Sequence, residues 1–303
     1  MALAFLLLLG LIWGLSNMLT KLALEGIDTF AFTFWQATLA FGILAALAAI
    51  RKLRPPMDRQ HLRYYVVNGL LGLALPGLNI AIVVQHIPAG LLSAIVSTAA
   101  LFTYMLALAI GQERYHPLRA LGVLIGLAGA LLILLPRTSL PSSDMAQWVL
   151  LALLTPFLYG VNGVFAGRFM PKGTDAAVMA SGLLATTGIL YLLLMVSMGE
   201  ATVPWPPVWP STYAMYALAL GASIAYVVYF RLIRLAGSVY MSQVGYLVVA
   251  VGVVAGMIVF DERHSVWVWA GMVLMVVGVT LVNLGQQKRA QERSAVSWWA
   301  GST

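Results

Sequence analysis

The chain has 303 residues, of which 61% are hydrophobic and 9% charged, whereas a soluble domain carries about 25% charged residues. That excludes an ordinary soluble domain, and the absence of cysteine excludes disulfides, thiolate nucleophiles and thiolate metal sites. A formal net charge of +7 raises nucleic acid as a partner, but the placement of the basic residues, given below, follows membrane topology instead.

Apolar runs of about 20 residues, the length that crosses a hydrocarbon core of about 30 Å, recur along the whole chain. The opening run "MALAFLLLLGLIWGLSNML" has no basic residue ahead of it and is longer than the apolar region of a signal peptide, so it reads as a first span at 2–24. Breaks at charged or Pro/Gly-rich turns then predict spans at 29–50, 63–85, 88–110, 117–136, 147–167, 175–198, 212–233, 237–259 and 266–286. The connection "GEATVPWPPVWPST" between spans seven and eight reads either as an interfacial aromatic anchor or as a semi-rigid flap. With the N-terminus inside, all but Lys21, Arg137 and Arg263 of the 17 Lys and Arg fall on the cytoplasmic side. That bias predicts cytoplasmic termini, with 288–303 as a cytoplasmic tail.

One pattern occurs twice. Glu113-Arg114 falls on Glu262-Arg263 at an offset of 149, and at the same offset Gly122 falls on Gly271, Gly129 on Gly278 and Ser93 on Ser242. Trp13-Gly14 meets Tyr159-Gly160 at 146. Five spans separate the two copies, an odd number, so they face opposite sides of the membrane. Such inverted repeats are common in carriers, where the two halves exchange conformations around a site near the midplane. The expected fold is therefore an all-α integral membrane protein. Its ten helices form two inverted five-helix repeats, 1–137 and 145–287, around a central cavity. The "ER" pairs are expected to cap helices rather than to carry chemistry.

The five-plus-five hydropathy, the "IWG…N" opening and the closing "ER…G" pattern of each half resemble the EamA-type branch of the drug/metabolite transporter superfamily. The resemblance covers about residues 2–286. Within that branch the overall likeness is to exporters of aromatic amino acids from bacterial inner membranes. The resemblance implies a multi-pass carrier of amino acids, without cofactor, in the bacterial inner (plasma) membrane, whose partners are its small-molecule substrate and the lipid bilayer, as a monomer or homodimer.

A polar side chain in hydrocarbon is costly unless it faces protein or a water-filled cavity. Spans five and ten are nearly devoid of polar residues, and Gly122 and Gly126 or Gly271 and Gly278 mark them as packing helices. Gly122-xxx-Gly126 also suits dimerisation. Polar and aromatic stripes instead mark spans one, three, four, six, eight and nine as the cavity wall. Trp13 and Asn17 lie on the first, Asn79 on the third, Ser97 and Tyr104 on the fourth. Tyr159 and Asn162 lie on the sixth, Tyr226 on the eighth, Gln243 and Tyr246 on the ninth. Each candidate has a structural alternative: hydroxyls bond their own backbone, carboxamides bridge helices, and Trp or Tyr near a span end anchors at the interface.

No carboxylate lies mid-span, so ion coupling lacks an obvious carrier. A neutral cavity suits a zwitterion, because a net ion would be desolvated without a counter-charge, while Tyr and Trp walls suit an aromatic or large apolar end. The four histidines are scattered at turns, and neither a metal-ligand spacing nor an acid/base pair marks an enzyme. Other neutral solutes such as purines, cationic toxic compounds and a non-transporting scaffold remain alternatives.

Overall fold

The apolar runs fold into helices, and among the described residues there is no strand. The computed structural model describes residues 1–134, 145–169, 171, 173–200, 203–241 and 244–300. The first five helices are α1 (Ala2–Ala23), α2 (Thr29–Ile50), α3 (Arg59–Val83), α4 (Ala89–Ala109) and α5 (Pro117–Leu134). The others are α6 (Met145–Ala152, continued by Leu154–Phe169), α7 (Ala176–Ser197), α8 (Ser211–Met241), α9 (Val244–Phe260) and α10 (Val266–Ala300). Eight are long and apolar enough to cross a membrane, and Pro117–Gly129 and Leu247–Phe260 are shorter apolar helices within α5 and α9. The 22 residues of α2 rise about 33 Å, matching a hydrocarbon core. Apolar side chains such as Ile189 and Ile258, 64% and 78% exposed, point outward, where only lipid is a favourable solvent. The chain is a multi-pass membrane protein.

Several boundaries differ from the expected ones: α9 starts at Val244 rather than 237, and α10 runs to Ala300 rather than 286. The α3 helix starts at Arg59 because the Asp58 carboxylate accepts from the Gln60 and His61 amides (3.0 and 3.2 Å), a helix cap. The hydrogen bond from the His61 amide holds that carboxyl below its usual range. The α8 helix runs on to Met241, through the turn expected after residue 233. Gly237, the one breaker there, costs about 1 kcal/mol in a helix, too little to end it.

Three helices are interrupted where the sequence weakens the backbone ladder. In α3, Leu70–Ala74 widens into a π turn just before Pro76, which has no N–H to donate. The ends of that turn are bonded from α7: Thr187 donates to the Gly69 carbonyl (3.3 Å) and Tyr191 to the Ala74 carbonyl (2.6 Å). In α4 the hydroxyls of Ser97 and Thr98 fold back on the carbonyls of Ala94 and Ile95 (2.7 and 2.6 Å), and the helix breaks at Thr98. In α6 the break at Leu153 precedes Pro156.

Among the described glycines, the tightest approach to another helix's backbone is between α5 and α10. A Cβ on Gly122 would stand 2.6 Å from the Gly278 carbonyl oxygen, and one on Gly129 2.7 Å from that of Gly271. The glycine stripes therefore pack within the chain. Elsewhere α2 packs on α7, α1 on α8 and α9, and α4 on α6 and α9. A branched side chain at Gly278 would meet the Gly122 carbonyl at 2.5 Å and the Gly126 amide at 2.6 Å, and backbone cannot yield as a side chain does. Gly278→Val should therefore lower unfolding stability by about 1–3 kcal/mol, measured in detergent. Gly42→Ala, with nothing within 4 Å of its new methyl, should leave stability unchanged or raise it.

Candidate functional site

One end of the bundle is tied by carboxylates. Glu200, beyond α7, accepts from the Phe30 and Ala31 amides at the start of α2, both at 2.8 Å. Glu262, beyond α9, accepts from the Ala89 and Gly90 amides at the start of α4 (2.7 and 3.1 Å). Lys21, on the last turn of α1, approaches the same carboxylate at 3.4 Å and lies over the Phe260 ring at 4.4 Å. An anion at a helix N-terminus satisfies unpaired N–H groups and meets the positive end of the dipole. Glu262 thus caps a helix as expected, but a distant one. Its counterpart Glu113 pairs with Arg119 at 3.3 Å.

A cavity of about 300 Å³ begins inside this end and runs toward the bundle centre. Its wall comes from α1, α2, α3, α6, α7 and α8. The sequence had pointed to α4 and α9 in place of α2 and α7. The α4 and α9 helices pack on each other and against α1, and neither is among the described lining.

Four expected residues come together on this wall: Trp13, Asn17, Tyr159 and Tyr226. Three others are found elsewhere, engaged with protein. Asn79 donates to the Leu151 carbonyl (3.0 Å) and to Thr155 Oγ1 (2.8 Å), splinting the break in α6. Ser97 bonds its own helix. Tyr104 accepts from the His116 amide (3.0 Å), with the Arg119 guanidinium 3.9 Å from its ring centre. Asn162 is also absent from the lining; it fits against Gly72, where a Cβ would stand 2.5 Å from its Nδ2, and its buried Oδ1 has no partner among the described residues. Gln243 lies outside the described residues, as does the side chain of Tyr246.

The α2 and α7 helices add lining residues that the sequence reading passed over. Thr33, Gln36 and Ala40 line it from α2, Leu184, Thr187 and Tyr191 from α7. Both sets follow helical spacing of three or four, the signal that would have found them.

Helical rise layers the cavity. Counting from the tied helix ends, Thr20 and Thr33 lie about 5–6 Å deep, Asn17 and Gln36 about 9–10 Å, Trp13 about 15 Å, and Tyr159 and Tyr226 about 21–22 Å. The shallow layer is a polar collar and the deep layer an aromatic floor, where Trp13 also meets Tyr229 with ring centres 5.8 Å apart. No Asp, Glu, Lys, Arg or His is among the described lining residues. The collar is partly engaged: Asn17 donates its Nδ2 to Ser93 (3.0 Å), and Thr33 donates to the Phe30 carbonyl (3.0 Å). Among the described residues, no cluster of His, Cys, Asp or Glu is arranged to hold a metal. The geometry suits reversible binding of a small uncharged or zwitterionic molecule.

The family profile of EamA-like transporters matches this chain twice, at residues 1–135 and 146–284. The chain belongs to the EamA-like transporter family. It is 27% identical over 267 residues to a riboflavin transporter of Brucella anthropi, covering 86% of this chain and 89% of that one. It is 24% identical over 296 residues to a probable amino-acid metabolite efflux pump of Escherichia coli K12, covering 93% and 95%. An inner membrane transporter of the same organism, YedA, is 24% identical over 285 residues, covering 91% and 88%. One protein of known crystal structure, 19% identical, superposes with a TM-score of 0.66 over 93% of this chain and 97% of the other, and shares the fold. This EamA-family chain is thus a membrane transporter of the drug/metabolite type.

The tied end also holds a buried imidazole. His264 Nε2 lies 3.8 Å from Glu262 Oε2. Burial pulls its pKa below the ordinary histidine range, and the Glu262 carboxylate opposes this less strongly. The unfolded chain then takes up the proton first as pH falls, so the stability from neutral His264 is present above its ordinary pKa and is lost below it. Thermal unfolding followed from pH of about 7.5 to about 5 should show a falling melting temperature, with a shallower slope in His264→Gln.

Proposed function

We propose that this transporter exports amino acids, preferentially aromatic and large neutral ones, across the bacterial inner membrane by alternating access. The observation that carries this reading is the layered cavity, with an aromatic floor, a polar collar and no charged group in its described lining. A net ion would enter it without a counter-charge, whereas a zwitterion brings its own. The aromatic floor then supplies burial and ring contacts to the substrate's side chain. The resemblance to aromatic amino acid exporters and the efflux-pump relative support the same substrate class. The riboflavin transporter supports a second reading, a neutral heteroaromatic solute held on the same floor.

Alternating access rests on two inverted repeats, 1–137 and 145–287, and one pair of glycine contacts supports that reading. At the repeat offset of 149, Gly122 against Gly278 maps onto Gly271 against Gly129. With both termini cytoplasmic, the tied end is the outer face, and the cavity belongs to the outward side of the cycle. The reading needs no ion: the described lining offers no carboxylate as a proton or sodium relay, and cytoplasmic accumulation of substrate drives export.

Purified protein in liposomes should carry labelled phenylalanine or tryptophan down its own gradient with no ion gradient imposed. Trp13→Ala and Tyr226→Leu should each cut that flux about tenfold while the protein still inserts. Strict dependence on a proton gradient would remove the uncoupled mechanism. Riboflavin flux without amino acid flux would replace the substrate class.

A further inference from the structure

Resting on the reading of the cavity as a substrate site for zwitterions, we infer that the ligand is held in one orientation and that Gln36 sets the charge class accepted. The ligand's apolar end lies on Trp13, Tyr159 and Tyr226, and its polar end lies in the collar toward the Glu262 end of the bundle.

Five polar side chains on the wall are already engaged with protein. Ser16, Thr33 and Thr187 donate to carbonyls of Trp13, Phe30 and Leu183. Tyr191 donates to Ala74. Asn17 gives its Nδ2 to Ser93 Oγ, leaving Oδ1 as an acceptor. Gln36 differs: it lines the cavity and its carboxamide has no protein hydrogen bond among the described residues. It is the one carboxamide on the described wall with both donor and acceptor ends unengaged. A carboxamide at that depth is costly unless water or a ligand meets it.

A zwitterion asks for what this collar offers. Its carboxylate needs N–H donors, which Gln36 Nε2 supplies, and its ammonium needs acceptors, which Gln36 Oε1 and Asn17 Oδ1 supply. The charge of Lys21, one turn beyond Asn17 on α1, is held by Glu262 and Phe260. A neutral, two-ended group therefore reads the ligand head. Binding then falls when either half of the zwitterion is removed, because a collar group is left unpaired.

Three ligands with the same ring separate the terms: phenylalanine, phenethylamine without the carboxylate, and 3-phenylpropionate without the ammonium. Uptake of each is measured in proteoliposomes of wild type, Gln36→Glu and Gln36→Met, each first checked as monodisperse by gel filtration. Wild type should favour phenylalanine over both analogues. Gln36→Glu should raise the phenethylamine-to-phenylalanine ratio about tenfold or more, because the new carboxylate repels one end and pairs with the other. Gln36→Met should lower phenylalanine flux about tenfold without gain for either analogue. An unchanged ratio in Gln36→Glu, with wild-type phenylalanine flux intact, overturns the role of Gln36 alone. No phenylalanine flux in wild type overturns the amino acid reading, and this proposal with it. If Gln36→Glu is not monodisperse, Gln36→Met decides: unchanged phenylalanine flux overturns the proposal.

Discussion

Hydrocarbon offers no hydrogen bonds, so each polar group inside the bundle must find one in protein or in a cavity. That constraint sorts the interior of this chain. Asn79 is engaged across a helix break, Ser97 and Thr98 on their own helix, and Thr187 and Tyr191 on carbonyls of the widened α3 turn. Asn162 Oδ1 and the hydroxyls of Tyr64 and Tyr65 stay buried off the cavity without a partner among the described residues, so an unpartnered group points to a ligand only where it also lines the cavity. Gln36 stands out on that test because the constraint acts most strongly on a carboxamide, which has two donors and two acceptor positions to satisfy.

The same constraint explains why two of the three interrupted helices, α3 and α6, border the cavity. Pro76 and Pro156 weaken α3 and α6, and polar side chains of neighbouring helices reach those places. Discontinuous helices at a membrane binding site are a recurring solution in carriers, since irregular backbone is tolerated where it borders a cavity or packed protein. The glycine seam between α5 and α10 is the counterpart. Where carbonyls of one helix press on the glycines of the next, there is no room for a path.

Much of this fold was legible in the sequence because hydrophobic length and turn chemistry are local. Ten helices follow from apolar runs and breakers, and the packing role of α5 and α10 follows from their glycines and lack of polar residues. The site was half legible. Trp13, Asn17, Tyr159 and Tyr226 are on the wall because their stripes face the bundle interior. Asn79 and Tyr104 are equally buried, 6% and 2% exposed, but buried against partners that only tertiary structure supplies. A stripe shows that a face is buried, not what covers it. Gln36 and Tyr191 escaped although their sets follow helical spacing, because an apolar residue, Ala40 or Leu184, completes each set and breaks the polar stripe. The continuation of α8 to Met241 was not legible either, because one glycine decides little against the register of a long helix.

The central claim is that substrate occupies the space walled by α1, α2, α3, α6, α7 and α8. The absence of native cysteine makes it directly testable with single thiols. Ala222→Cys lies on the wall, and Leu124→Cys, at a position 66% exposed on α5, lies on the outer surface. Maleimide modification of Ala222→Cys in membranes should slow about tenfold with saturating phenylalanine, while Leu124→Cys is unaffected. Equal rates with and without substrate at Ala222→Cys, in protein that still transports phenylalanine, would place the substrate elsewhere.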